Sequence, residues 1–297
     1  MSIDIAVVPV AGHGTRLLPA TKSQPKEMLS VGRKPVVQYV VEELASNGIR
    51  RLLFITGQGK DSIENHFDID ESLTSHLRES GREEMLQELE FERRELEYFY
   101  TRQRRQLGLG HAVLCARPLI GEQPFVVALG DSIIGQHAQS TIVERMISLF
   151  ERESADVVVA FEEVPGSEVH RYGIALPKGP TDDVFELADM VEKPSLAEAP
   201  SHLAVAARYV FSPRIFEKLQ ETRPGKGQEI QLTDAMRLVL KDGGKGFGIR
   251  LPETERRYDI GNFESYFRTF IEFALSDPEI GATMRGHVRD LLERLGE

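Results

Sequence analysis

The chain has 297 residues, 41% of them apolar and 28% charged, a balance that suits a folded protein with a sizeable core and excludes a disordered one. No apolar run reaches the roughly 20 residues of a membrane-crossing helix, and no basic stretch leads into a secretory apolar segment, so a cytoplasmic protein is expected. The formal net charge of −11 comes without a basic stripe, which argues against general nucleic-acid binding but leaves room for a small anion held by a few cations.

In chain order, residues 3–10 form a mostly apolar, β-rich run that ends in a glycine turn, the pattern of a strand buried in a parallel sheet. Residues 36–47 follow with Val37, Val40, Val41 and Leu44 at helical spacing, Gly48 as a stop, and a second strand at 51–56, giving a βαβ unit. The segment 68–97 carries eleven acidic against four basic residues. Met85, Leu86 and Leu89 at helical spacing make it one or two amphipathic helices, a solvated excursion or a subunit contact.

Further strands are expected at 96–101, 125–129, 157–164, 172–176, 184–192, 204–211 and 247–251, with helices alternating among many of them. This reads as an α/β fold, a mixed and mainly parallel sheet flanked by helices, with ligand at the carboxyl ends of the strands. Cys115 is the single cysteine; no intramolecular disulfide is possible, and the apolar stretch 112–116 makes it an inert core thiol. Residues 1–261 are expected to form one α/β domain with the acidic helical insertion at about 68–97. Residues 262–297 add C-terminal helices whose stripe of Phe263, Tyr266, Phe267, Phe270, Ile271 and Ala274 packs on that domain or at a subunit interface, and a homo-oligomer, dimer or tetramer, is expected.

The chemistry is concentrated after the first strand, in Ala11-Gly12-His13-Gly14-Thr15-Arg16. Two glycines let successive amides form an anion nest. No Gly-Lys-Ser or Gly-Lys-Thr follows, and Leu17 stands where a dinucleotide fingerprint needs its third glycine, so neither a P-loop nor a nicotinamide-dependent dehydrogenase fits. Arg16, Lys22 and Lys26 share the same irregular loop with Pro19 and Pro25, and fixed cations beside an amide nest are what a triphosphate requires.

Asp131 follows the apolar run 125–130 at a strand's carboxyl end, and Asp259 lies in Tyr258-Asp259-Ile260-Gly261-Asn262. Each can hold Mg²⁺ with phosphate oxygens, or simply cap a turn. Gln103 and Gly108 suit the edge and the face of a base, while His111 reads as a ligand or as a satisfied histidine at a helix start. Tyr172-Gly173 and Glu192-Lys193-Pro194 offer a carboxylate for sugar hydroxyls and a cation for a phosphate. In the segment 229–234, Thr233 or Asp234 can cap a helix.

Taken together, these segments resemble the bacterial UTP–glucose-1-phosphate uridylyltransferases within the sugar nucleotidyltransferases, over residues 5 to about 284. The resemblance is carried by 8–16 with Pro25-Lys26-Glu27-Met28-Leu29, by Gln38-Tyr39-Val40-Val41-Glu42-Glu43, by Leu107-Gly108-Leu109-Gly110-His111-Ala112-Val113, by Leu129-Gly130-Asp131, by Val191-Glu192-Lys193-Pro194, by Glu229-Ile230-Gln231-Leu232-Thr233-Asp234 and by 258–262. It implies a Rossmann-like fold of the nucleotide-diphospho-sugar transferase type and Mg²⁺-dependent conversion of UTP and glucose 1-phosphate to UDP-glucose and diphosphate.

By the same resemblance Ala11, Gly12, Gly14 and Glu27 hold the nucleotide, with Gln103 and Gly108 at the uracil. Arg16 and Lys26 neutralise the triphosphate, Asp131 and Asp259 hold Mg²⁺, and Gly173, Glu192 and Lys193 seat the sugar phosphate, with Arg16, Lys26, Asp131 and Lys193 the catalytic set. A thymidylyltransferase on glucose 1-phosphate and a catalytically weak regulatory paralogue remain as alternatives. The chain departs from the family pattern at His13, where a smaller or apolar residue is common, and at Gln228, where a second glycine is common.

Overall fold

The computed structural model describes residues 3–296. Its strands are β1 (Ile5–Pro9), β2 (Ser30–Val31), β3 (Lys34–Pro35), β4 (Arg51–Thr56), β5 (Glu97–Arg102), β6 (Phe125–Ala128), β7 (Ser132–Ile134), β8 (Val157–Glu163), β9 (Gly173–Pro177), β10 (Val184–Glu192), β11 (Leu203–Phe211), β12 (Gly246–Arg250) and β13 (Arg257–Asp259). The helices are α1 (Val36–Ser46), α2 (Asp61–Phe67), α3 (Glu71–Glu79), α4 (Leu109–Leu114), α5 (Arg117–Ile120), α6 (Ile142–Glu153), α7 (Arg214–Glu221), α8 (Leu232–Lys241), α9 (Phe263–Ser276) and α10 (Gly281–Leu295).

Among the described residues, nine strands form one sheet in the order β5-β4-β1-β6-β11-β8-β12-β10-β9. β5, β4, β1 and β6 are mutually parallel. β11 runs against β6 and β8, β12 is again parallel to β8, and β10 opposes both β12 and β9. This mixed sheet, with most strands pointing one way and helices on both faces, is the Rossmann-like α/β fold. The unbroken apolar runs occupy its middle: β6 is buried at every position and so is β11.

On one face Val37, Val40 and Leu44 of α1 and Ile142, Met146 and Phe150 of α6 pack on Phe54 and Val158. On the other, Val113 of α4, Phe216 of α7 and Met236 of α8 pack on Phe125 and Phe211. Each such fully buried apolar side chain contributes about 1.5–3 kcal/mol relative to exposure, which fixes the sheet as a rigid floor for the loops above it.

Local structure departs from the sequence reading in two places, the acidic segment and Cys115. The acidic segment forms one α-helix, α3, capped by Asp70 accepting from the Leu73 amide at 2.8 Å. It then runs through 3-10 turns at Glu83–Arg93, because Met85 faces solvent and too little of the expected stripe is buried to hold α geometry. Phe91 anchors that stretch, stacking on His66 at 4.8 Å. Of the C-terminal stripe, expected on the domain or at a subunit interface, Tyr266 packs on the body and donates to the Ser30 carbonyl at 3.0 Å while Phe267, Phe270 and Ile271 point outward, and Phe273 against Tyr39 and Tyr258 adds to the hold on α9. Cys115 is half-buried beyond the end of α4, and burial pushes its thiol up, so it is a weak nucleophile without being a full core residue. Among the described residues no helix is long and apolar enough to cross a membrane.

Candidate active site

The glycine loop leaves β1 at the carboxyl end of the parallel strands, its exit fixed by the Val10 amide on the Ile55 carbonyl at 3.0 Å. Gly14 takes φ +67°, a left-handed conformation that glycine adopts without a Cβ penalty, and the Thr21 hydroxyl closes the loop on its carbonyl at 2.8 Å. Pro25 then starts the 3-10 turn Lys26–Met28. A Cβ on Gly12 would stand 3.9 Å from the Lys26 ammonium, so the nest and the cation share one space.

Asp131 enters that space from the end of β6. Gly130 makes the approach possible, since a Cβ there would meet Val10 Cγ1 at 2.5 Å. Lys26 Nζ lies 2.5 Å from Asp131 Oδ2. Burial alone would raise the Asp131 carboxyl, but the Lys26 charge and hydrogen bond outweigh it and hold the group below the usual carboxylate range. Lys26 is correspondingly held protonated, as Asp131, Glu27 and Asp259 outweigh its own burial.

Asp259 arrives from the other end of the chain. β7 and β13 pair antiparallel with Asp259 opposite Ser132, and the Ile260 amide donates to the Asp131 carbonyl at 3.3 Å. Burial, and then the Asp131 charge, push the Asp259 carboxyl up. Gly261 has no Cβ to crowd Arg16 Nη2 and the Asp259 oxygens, each about 3 Å from where that atom would lie. Asp131, held ionised by Lys26, and Asp259 beside it give a pair of carboxylates that could seat a hard cation with oxygen ligands. Among the described residues no third Asp, Glu, His or Cys converges with them.

A cavity of about 660 Å³ gathers Ala11, Gly12, Gly14, Arg16, Lys26, Glu27, Gln103, Gly108 and Asp131, a volume in the range of a small-molecule site. Gln103 Nε2 donates to the Gly108 carbonyl and to His111 Nδ1, both at 3.0 Å, so His111 is a satisfied partner of Gln103. Gly108 has φ +99°, and a Cβ there would sit 2.7 Å from Glu229 Cβ and 2.9 Å from the Ile230 carbonyl. Its own packing therefore demands glycine, before any ring is laid against it. Glu27 is buried and paired with Lys60 at 2.8 Å; burial pushes its carboxyl up while Lys26 and Lys60 pull it down.

Gly173, Glu192 and Lys193 form a separate cluster. A Cβ on Gly173 would meet Thr233 Oγ1 at 2.9 Å and Glu192 Oε2 at 3.4 Å. The Thr233 hydroxyl donates to Glu192 Oε2 at 2.7 Å, so it serves the carboxylate and is no helix cap. Lys193, at φ +46°, reaches back to Glu192 Oε1 at 3.1 Å. Tyr209 of β11 feels both clusters: after burial, the charges of Glu192 and Asp131 push its hydroxyl up.

Asp259 also lines a neighbouring cavity of about 410 Å³ with Tyr172, Glu162 and Arg257, the last stacked 4.4 Å over Tyr172 and bonded to Glu162 at 2.7 Å. Sequence reasoning missed Gln106, whose Nε2 donates to the Ala11 carbonyl at 2.7 Å, and it missed Lys60 and Arg257. Gln228, flagged where glycine is common, has φ +60°, which explains the glycine preference there.

The nucleotidyl transferase family model matches residues 5–274. A UTP–glucose-1-phosphate uridylyltransferase of Bacillus subtilis is 43% identical over 289 residues, covering 97% of this chain and 95% of the relative. The solved structure of a UTP-bound UGPase from Acinetobacter baumannii is similar with a TM-score of 0.88 and 34% identity, covering 97% of this chain and 99% of that one. A UDP-glucose pyrophosphorylase complexed with UDP-glucose matches at TM-score 0.82 and 38% identity over 91% of this chain and 98% of the other. The chain belongs to the nucleotidyl transferase family and, within it, to the UTP–glucose-1-phosphate uridylyltransferases.

Proposed function

We propose that the chain converts UTP and glucose 1-phosphate to UDP-glucose and diphosphate by direct in-line attack of a sugar-phosphate oxygen on the α-phosphorus. The observation that carries this reading is the Lys26–Asp131 pair in the wall of the cavity that also holds Gln103 and Gly108, with Asp259 beside that pair at the edge of the neighbouring cavity. The UTP and UDP-glucose in the structures of similar proteins support the choice of substrates. A sugar phosphate is already an anionic nucleophile, so no protein nucleophile is needed and the barrier is the meeting of two anions.

Arg16 and Lys26 meet the triphosphate charge, and the amides of the glycine loop orient it. Lys193 guides the incoming phosphate while Glu192, fixed by Thr233, takes the sugar hydroxyls over Gly173. Asp131 and Asp259 hold Mg²⁺, which supplies neutralisation of the phosphate oxygens when bound. Gln103 and Gly108 receive the uracil, and Ala11, Gly12, Gly14 and Glu27 line the nucleotide's side.

Residues 1–261 are the catalytic body with the acidic excursion at 68–97, and the outward apolar face of 262–297 is the contact of a homo-oligomer acting in the cytoplasm, where nucleoside triphosphates are kept. The test is diphosphate release from UTP, dTTP, ATP and GTP with several sugar 1-phosphates, with and without Mg²⁺. Preference for UTP with glucose 1-phosphate, dependent on Mg²⁺, is the expected result. Preference for dTTP moves the chain to thymidylyl transfer, and no turnover with any pair makes it a regulatory binder.

A further inference from the structure

Glu43 and Arg208 form an ion pair that water does not reach, with both side chains 0% exposed. Arg208 grips Glu43 through Nε at 2.9 Å and Nη2 at 2.6 Å. Desolvating two charges costs about as much as their attraction returns, and an apolar pair of similar volume would serve stability as well or better. The reason for the pair must lie in what else it holds.

Arg208 Nη2 donates to the Ser132 carbonyl at 3.0 Å, and Nη1 to the Ala207 carbonyl at 3.0 Å. The Ala207 carbonyl also accepts from the Leu129 amide at 3.1 Å. The residues on either side of the Gly130-Asp131 turn are therefore fastened from beneath. Ser132 is in turn the ladder partner of Asp259, so one guanidinium supports both the turn that carries Asp131 and the strand that carries Asp259. Strand β11 breaks register between Val205 and Tyr209, and Ala207 takes φ +60°. A left-handed alanine is a strained conformation, held at the kink beside Arg208.

We propose that Glu43 and Arg208 are the positioning residues of the metal seat: they set the turn at 129–132 so that Asp131 and Asp259 face one cation. This rests on reading those two aspartates as the Mg²⁺ carboxylates. The pair lies outside the cavity lining and acts through the turn and the neighbouring strand β7, where the Ile134 backbone hydrogen-bonds Glu43.

The test replaces the pair by apolar residues, Glu43→Leu with Arg208→Met, in the full chain, and adds Arg208→Lys, which keeps the charge but loses the fork. Mn²⁺ binding without nucleotide is measured by electron paramagnetic resonance, alongside thermal unfolding and the KM values for Mg²⁺ and UTP. The expected result is a folded double variant whose Mn²⁺ affinity falls, and whose KM for Mg²⁺ rises, by about 10–100-fold, the usual effect of losing an outer support of a metal ligand. KM for UTP at saturating metal stays near the parental value. Should the double variant fail to fold, Arg208→Lys carries the test with the same direction expected. Parental Mn²⁺ affinity in the folded variant overturns the proposal if Asp131→Asn abolishes Mn²⁺ binding. Parental binding by Asp131→Asn overturns the carboxylate reading itself, and the positioning role with it.

Discussion

Replacing Lys26 by methionine keeps the length of the side chain and removes the charge that meets Asp131 at 2.5 Å. Two effects follow, and they separate. The preorganised cation opposite the triphosphate is lost, and removal of one such group lowers kcat by about 10²–10³, or roughly 2.7–4 kcal/mol of transition-state stabilisation. Stability falls as well, because Asp131 is left in a confined site beside Asp259. A fully buried pair broken on one side costs about 3–5 kcal/mol. Here the partners are 17% and 18% exposed, and Asp131 can relax by taking a proton, so about 1–3 kcal/mol is the expected loss.

The pH dependence carries a sign. In the parental protein Asp131 is held below its ordinary value, so its contribution to stability is present above the unfolded pKa and is lost as pH falls through the lower folded one. Without Lys26 burial is opposed only by a backbone hydrogen bond and the Arg16 charge, so the group rises and the gap between parent and variant narrows in acid. The assays are diphosphate release at saturating substrates and thermal unfolding from neutral pH downward. A folded variant with kcat within about tenfold of the parent, less than 1.4 kcal/mol, refutes the role given to Lys26. Lys60→Met is the contrast: it removes the buried partner of Glu27 but no residue of the cavity wall, so it should lower the melting temperature more than kcat.

Gly108→Ala places a Cβ against the Ile230 backbone at φ +99°, where no side-chain rotation relieves it. About 1–3 kcal/mol of strain displaces the loop, so KM for UTP rises more than kcat falls, and unchanged UTP saturation curves would sink the idea. His66 is held neutral by burial, bonded to Gln38 at 3.0 Å and stacked on Phe91. Its contribution is full above the unfolded value of about 6.5 and is lost as pH falls through the lower folded one. Hydrogen exchange in residues 83–93 should therefore accelerate, after correction for intrinsic rates, between about pH 7.5 and pH 5. Constant protection across that range counts against it. Phe267 and Ile271 are 55% and 51% exposed on α9, and serine at both should lower the mass found by light scattering with circular dichroism unchanged. A parental chain that runs as a monomer ends the oligomer reading.

What could be read from the sequence follows the range of the interactions. The glycine loop with Arg16 and Lys26 was legible because its turn chemistry lies within a few residues, as was β6 leading to Asp131. The seat of Asp259 was not, because β7 and β13 are three-residue strands more than a hundred positions apart, too short to show a period. Gly108 was singled out for a ligand, and its φ and the nearby Ile230 backbone give an earlier reason. Arg208 was missed although the signal was visible: one arginine inside the run Leu203–Phe211, otherwise apolar and buried throughout, must have a buried acid waiting. Which acid it was, Glu43 at 165 positions' distance, only the folded chain reveals.

Three lysine or arginine pairs, two with residues in the cavity wall and one supporting it, differ in a way that bears on the proposed catalysis. Glu43–Arg208 is fully buried and Glu27–Lys60 nearly so, at 2% and 6%, while Asp131–Lys26 keeps 18% and 17% of its surface open. A site that brings two anions together must hold cations without surrendering them to its own carboxylates. In the two deep pairs, parting the partners would strand charges in a dry interior, which is prohibitive. At Lys26 the same separation is eased by solvent and by whatever phosphate fills the cavity, so this ammonium can change partners while the frame around it stays fixed. On the proposed function, burial thus sorts chemically similar pairs into scaffold and working part, with the most exposed pair the one in contact with the cavity's contents.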